Sequence, residues 1–208
     1  NILQPGQEGG NAVADVLLGK KVPSGKLTDS WAMDYSDYPS AQTFSFKSGD
    51  VFHEEYKEGI YVGYRYFDTF DVPVRYGFGF GLSYTTFSIS SPNVTLTGVG
   101  TENPTLTVEV EVTNTGEQYS GKEVVQVYVS CPQQGLPKEY RRLAGFAKTK
   151  ELSPKETQKL TISFPLYQLS SYDESSASWI LDGGNYGIWI GNSLQDAVLC
   201  AVMELDGQ

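Results

Sequence analysis

At 208 residues the chain is long for one small β-sandwich and short for two full domains. A formal net charge of −10, with 39% hydrophobic and 19% charged residues, fits a folded globular chain and argues against a nucleic-acid surface, which would carry a basic stripe. No apolar run approaches the ~18 residues of a membrane span, and 13% aromatics with 22 Gly lean towards β structure rich in turns.

The chain opens on Asn1, with no signal peptide ahead of the apolar pair Ile2-Leu3, as a processed chain or a piece of a longer one would. After the loop Gln4-Pro5-Gly6-Gln7-Glu8-Gly9-Gly10, the residues Ala12, Val13, Val16 and Leu17 recur on one helix face. Gly19 suits the position after the helix, and Lys20 and Lys21 suit its negative end. Pro23-Ser24-Gly25 reads as a turn into a short strand at Lys26-Leu27. Strand, helix and strand make one unit of an α/β sheet, with the first strand almost absent. Residues 1–82 therefore read as the end of a sheet whose other strands lie elsewhere, with an apolar surface that needs a partner.

Residues 31–58 show little periodicity. Next, Ile60, Val62, Tyr64 and Tyr66 alternate with Tyr61, Gly63, Arg65 and Phe67, which predicts a strand covered on both faces. It is expected at the edge of the α/β sheet, set apart from the later strands by the belt Gly77-Phe78-Gly79-Phe80-Gly81. Its aromatics are too many for one core face, so some should touch a second domain. Arg65 is then a candidate for an inter-domain ion pair, the alternative being an ordinary exposed side chain.

From Ser83 the pattern changes to short strands with turns between them. Leu106, Val108, Val110 and Val112 alternate with Thr107, Glu109 and Glu111, and Asn114-Thr115-Gly116 breaks the run. Val125, Val127 and Val129, then Leu160, Ile162 and Phe164, then Tyr186, Ile188 and Ile190 repeat it. With strands over 84–91 and 195–205, residues 83–208 read as an immunoglobulin-like or fibronectin type III-like β-sandwich. The fold class is mainly β, and the fold alone gives no function.

No catalytic constellation stands out. His53 is the single histidine and has no partner at zinc or triad spacing, so it reads as an exposed loop residue. Glu54, Glu55 and Glu58 are close in sequence, as acidic residues on any solvated loop are. The Gly77–Gly81 run has aromatic flanks and a strand after it, where a phosphate cradle needs a helix N-terminus. Trp179 and Trp189 lie in strand-like segments and read as sandwich core, while Trp31, in a loop, is left open between core and sugar-stacking platform. Cys131 and Cys200 lack metal-ligand spacing and read as small buried thiols, with a bridge as the alternative. Asn93-Val94-Thr95 is a glycosylation sequon, relevant in a secretory eukaryotic setting. No metal site and no cofactor are expected.

Several motifs together resemble the late segment of family 3 glycoside hydrolases, the β-glucosidases in particular. They are Gly6-Gln7-Glu8-Gly9-Gly10-Asn11 with Pro23-Ser24-Gly25-Lys26-Leu27, Glu58-Gly59-Ile60-Tyr61-Val62-Gly63-Tyr64-Arg65-Tyr66-Phe67-Asp68, and Tyr76-Gly77-Phe78-Gly79-Phe80-Gly81-Leu82-Ser83-Tyr84. Val112-Thr113-Asn114-Thr115-Gly116, Gly121-Lys122-Glu123-Val124-Val125-Gln126-Val127-Tyr128 and Leu143-Ala144-Gly145-Phe146 continue the series in the same order. The resemblance spans essentially all 208 residues.

It implies an enzyme of three parts: a TIM-type barrel, an α/β sandwich and a fibronectin type III-like domain. Residues 1–82 would be the C-terminal remnant of the α/β sandwich. Such enzymes retain anomeric configuration through a glycosyl-enzyme intermediate. The family's nucleophilic Asp sits on the barrel and its usual acid/base Glu precedes the Gly-Gln-Glu-Gly-Gly motif, so no catalytic residue is carried over to this sequence. The implied partner is an N-terminal part holding the barrel, and the implied substrate a β-glucoside or oligosaccharide; no nucleic acid or membrane is implied, and location is left open. The rival readings are a free-standing carbohydrate-binding module and a structural spacer.

Overall fold

The computed structural model of the chain describes residues 5–207, apart from the side chains of Phe46 and Ser48. The expected stub of strand at Ile2-Leu3 lies outside the described residues. Helix α1 (Gly9–Leu17) forms as the apolar spacing predicts. It ends at Gly19, whose φ of +72° a Cβ-bearing residue would resist, and Lys20 pairs with Asp15 at 3.3 Å in the closing turn. None of its residues is buried, and Leu17 and Leu18 are 76% and 70% exposed. An amphipathic helix with an uncovered apolar stripe is half of a packing arrangement.

Residues 20–82 then run as a strap with little regular structure. It contains β1 (Trp31–Ala32), two short 3-10 turns at Tyr35–Asp37 and Ser45–Ser48, helix α2 (Tyr64–Thr69) and β2 (Val74–Tyr76), which pairs antiparallel with β1. The Lys26-Leu27 segment exchanges backbone hydrogen bonds with the glycine belt: Leu27 donates to Phe80 and Gly79 donates to Leu27, both at 2.8 Å.

The strand expected over 60–67 does not form. Its second half is α2, introduced by Gly63 at φ +59°. The β-favouring composition of Tyr, Ile and Val is overridden by packing. Tyr64, Phe67 and Asp68, spaced i, i+3 and i+4, make one helical face, and all three meet the rest of the molecule: Tyr64 on Tyr128, Phe67 buried, Asp68 on Arg141.

The remainder is a two-sheet sandwich. One sheet holds β3 (Phe87–Thr97), β4 (Thr105–Asn114) and β7 (Thr157–Pro165) in the order β3-β4-β7. The other runs β11-β10-β5-β6, from β5 (Val124–Ser130), β6 (Arg142–Lys148), β10 (Gly184–Gly191) and β11 (Val198–Leu205). A hairpin of β8 (Ser171–Asp173) and β9 (Ser178–Ile180) stands apart from both. The inner faces carry the residues that alternation predicts. Val108, Val110 and Val112 of β4, Val125, Val127 and Val129 of β5 and Ile188 of β10 are at most 1% exposed and form one core with Ile162 and Phe164 of β7.

Asn114, where the β4 pattern breaks, is fully buried and fully used. Its Oδ1 accepts from Thr85 Oγ1 at 2.6 Å and the Gly116 N–H at 3.1 Å, while Nδ2 donates to the carbonyls of Tyr119 and Leu152, each at 2.9 Å. An amide with all its capacity met fixes the strand exit and the two loops it touches.

The four-stranded sheet is also covered on its outer face. Gln126 and Tyr128 alternate with the core valines of β5, yet they are 3% and 0% exposed. A second, smaller cluster of Tyr128, Leu194 and Ala197 lies there, with Tyr64, Phe78, Leu143 and Trp189 packed on it. The strap supplies Tyr64 and Phe78. Gly79 shows why the belt is glycine-rich: its φ is +78° and a Cβ there would lie 2.2 Å from Gln126 Oε1. Gly79→Ala is therefore expected to lower unfolding free energy by about 2 kcal/mol or more, through strain and displacement of Gln126. Urea denaturation of the two proteins checks this, and an unchanged midpoint would remove the belt from the packing account.

Candidate functional site

Two features of the molecule carry chemistry: the seam between strap and sheet, and an open cleft at one end of it. The seam is polar as well as aromatic. Arg141, just before β6, reaches Asp68 of α2 with Nε 3.0 Å from Oδ2, and its other arm meets Oδ1. Both side chains are only about a tenth exposed. The guanidinium also lies 5.0 Å from the Trp189 ring centroid and 5.3 Å from that of Tyr140, so it is clamped by charge and by aromatic faces together.

Backbone donors complete the seam. The N–H of Leu143 donates to Tyr64 Oη and that of Tyr140 to Thr69 Oγ1, both at 2.9 Å, and Leu194 donates to the carbonyl of Phe78 at 3.1 Å. Gln126 Nε2 donates to the carbonyls of Gly79 and Asn192 at 3.3 and 2.8 Å, while its Oε1 accepts from Tyr128 Oη. Burial, with the Tyr64 side chain beside it, pushes the Tyr128 phenol far above its ordinary range. Further along, Lys26 Nζ meets Glu123 at 2.8 Å with both side chains largely covered. Seams this thoroughly bonded hold segments as one body.

The cleft, of about 1110 Å3, opens between residues 57–65 of the strap, the loop 136–142 and the β8–β9 hairpin. Its floor is the pair Glu139–Arg142, with carboxylate and guanidinium 4% and 20% exposed. Arg142 Nε and Nη2 donate to Glu139, and Nη1 donates to the carbonyls of Gln168 and Ser170 at 2.8 Å. Burial acts to raise the Glu139 pKa, but the hydrogen bonds and charge of Arg142 win and hold it below its ordinary value. Burial likewise works against the Arg142 charge, and Glu139 outweighs it, raising that pKa. Both groups stay ionised.

The structure scatters the sequence candidates. His53 is exposed, with its Nδ1 2.7 Å from Asp50. Glu54 and Glu55 are exposed; Glu54 accepts from the Ser45 N–H at 3.1 Å and Glu55 pairs with Lys57, while Glu58 sits half-buried on the cleft. Arg65 is exposed and lines the cleft; the buried ion pair of the seam is made by Arg141 and Asp68 instead. Trp179, expected in the core, is 69% exposed because its strand belongs to the separate hairpin. Trp189 is half-buried on the outer face, not between the sheets, and its Nε1 donates to Ser130 Oγ at 3.0 Å. Trp31 is 41% exposed and stacks edge-on against Tyr76.

The cysteines are free: Cys131 is buried, and desolvation pushes its thiol up to about 11, whereas Cys200 is exposed on β11. Among the described residues no group of three His, Cys, Asp or Glu side chains gathers as a metal site. Sequence reasoning missed Asp68 and Arg141, although the Tyr64/Phe67/Asp68 spacing is a helical signal lying inside a β-favouring run.

Comparison with known proteins places this architecture. Residues 1–64 match the Glycosyl hydrolase family 3 C-terminal domain and residues 123–194 a fibronectin type III-like domain. Beta-glucosidase A of Butyrivibrio fibrisolvens is 43% identical over 94% of the chain, and a beta-glucosidase of Ruminococcus albus 42% identical over 99%. The chain covers 25% and 21% of those two proteins. The solved structure of beta-glucosidase 3B from Thermotoga neapolitana with α-D-glucose superposes with a TM-score of 0.89 at 39% identity, over 98% of this chain and 27% of that one.

Removing one partner of a buried ion pair leaves the other charge desolvated. Asp68→Ala should destabilise the chain by about 3 kcal/mol, while Arg65→Ala should cost less than about 0.5 kcal/mol. Paired urea titrations decide it; equal effects of the two changes would contradict the assignment of the seam to Asp68 and Arg141.

Proposed function

The chain carries the C-terminal domains of glycoside hydrolase family 3, and from that premise we propose that it is the non-catalytic C-terminal part of a retaining β-glucosidase, acting on β-glucosides or oligosaccharides. The observation that carries the reading is the match along nearly the whole chain to the C-terminal region of β-glucosidases, of which it spans about a quarter. Hydrolysis with retention needs two carboxyl groups set across the glycosidic bond, one of them kept from water so that it can stay protonated. Glu54 and Glu55 lie on an exposed stretch of the strap, which does not restrict water in this way. In this reading both carboxylates come from an N-terminal part that bears a barrel and the start of an α/β sandwich.

The surface supports such a partner. Helix α1 has no buried residue, and Leu17, Leu18, Phe44, Phe52 and Tyr56 are between 60% and 87% exposed on the same N-terminal segment. Exposed apolar area on that scale marks an interaction surface. We place the division between the two domains at residues 82 and 83, because the sandwich core draws on residues from Phe87 onward, while the strap lies outside it.

Purified residues 1–208 should not turn over an aryl β-glucoside, and the activity should return when the N-terminal part is supplied as a second chain. Turnover by this chain alone, abolished by changing one of its own carboxylates, would overturn the reading. Limited proteolysis tests the division: the first cuts should fall in the exposed stretch 49–57, ahead of any cut beyond residue 83, and first cuts within the sandwich would refute it.

A further inference from the structure

The cleft beside the β8–β9 hairpin has a composition that neither the core nor the seam requires. On the hairpin, Tyr172 and Trp179 are cross-strand partners with ring centroids 5.4 Å apart, and they remain 49% and 69% exposed. A short two-stranded ladder held in register by an aromatic pair presents those rings on a fixed base. Across the opening, Tyr61 and Arg65 come from the strap. Tyr61 is itself held edge-on against Phe70 at 4.9 Å, so this wall is braced too.

The charges decide what could lie there. Lys57, Arg65 and Arg142 line the cleft together with Glu58, Glu139 and Glu174, three of each sign. A site for an anion or a cation would show an excess of the opposite sign. Balanced charges beside exposed rings suit a ligand that is uncharged, rich in hydroxyl groups and apolar on one face. The Arg142 donors are spent on Glu139 and on the carbonyls of Gln168 and Ser170, so that pair braces the floor and leaves Arg65 and Glu58 to meet hydroxyls. The volume, about 1110 Å3, lies just above the roughly 300–1,000 Å3 usual for ligand pockets and leaves room for more than one sugar ring.

We propose that this cleft binds a neutral oligosaccharide, stacked on Trp179 and Tyr172 and hydrogen-bonded by Arg65 and Glu58. The pyranose C–H faces lie on the rings, and the guanidinium, with its planar fork of donors, bridges neighbouring hydroxyls. The cleft chemistry stands on its own lining; only the choice of gluco-configured probes rests on the β-glucosidase reading.

The test is calorimetric titration of the intact 208-residue chain with cellotetraose and with maltotetraose. Saturable binding of either is expected, weakened at least tenfold by Trp179→Ala and by Arg65→Ala and unchanged by Trp31→Ala, which lies on a different part of the strap. Arg65 is exposed and Trp179 stands on the hairpin outside both sheets, so removing either leaves the sandwich intact, which circular dichroism verifies. No saturable heat with either tetrasaccharide, or binding that both variants retain, would overturn the proposal. Because no turnover is measured, an inert enzyme on adding the N-terminal part would count against the β-glucosidase reading and leave this result untouched.

Discussion

Everything in this molecule depends on covering the outer face of the β11-β10-β5-β6 sheet. A sandwich ordinarily shows water one face of each sheet. Here β5 is buried on both: its valines face the core, and Gln126 and Tyr128 face the strap. A buried Tyr and a buried Gln are stable only when their polar ends are met. They are met by each other, by the carbonyl of Gly79 and by that of Asn192. The strap is thus bound by groups that would otherwise be stranded, and Tyr128 also packs on Tyr64, the last residue of the segment that matches the family 3 C-terminal domain.

That arrangement explains the strap's low content of regular structure. Residues 20–82 have few ladder partners of their own, so their backbone groups are satisfied across the seam and in turns. Where α2 forms, it forms against the sheet, with Asp68 delivered to Arg141. Where the belt passes Gln126, only glycine fits. The consequence is rigidity: residues 64–80 of the strap are held against the sheet by side-chain and backbone bonds along the seam.

Much of the sandwich was legible because half-buried strands alternate, and β4, β5, β7 and β10 carry that signal cleanly. The motif that breaks β4, Asn114-Thr115-Gly116, was legible as a break but not as a hydrogen-bonding hub, since its partners Tyr119 and Leu152 are distant in sequence or featureless. Strand β6 did not announce itself: Arg142, Gly145 and Lys148 interrupt its alternation, and its place is set by pairing with β5. Residues 60–67 misled for a physical reason. Tyr, Ile and Val favour strands by fitting a pleated surface, whereas here the surface on offer was a sheet already complete, which a short helix packs against. Trp179 misled because aromatic residues in strands are usually core, and nothing local marks a hairpin that leaves both sheets. The cleft, built from three separate stretches of chain, had no signal in any one of them.

Native-state hydrogen exchange on the intact chain tests the central account most directly. The amides of Tyr140 and Leu194 donate to Thr69 Oγ1 and to the carbonyl of Phe78, both on the strap. If the strap and sheet are one cooperative body, these two amides should be protected to within about tenfold of the β5 ladder amides, because both open only with the sandwich. Exchange of Tyr140 and Leu194 near the unstructured rate, while β5 stays protected, would show that the strap comes away freely and would contradict the account.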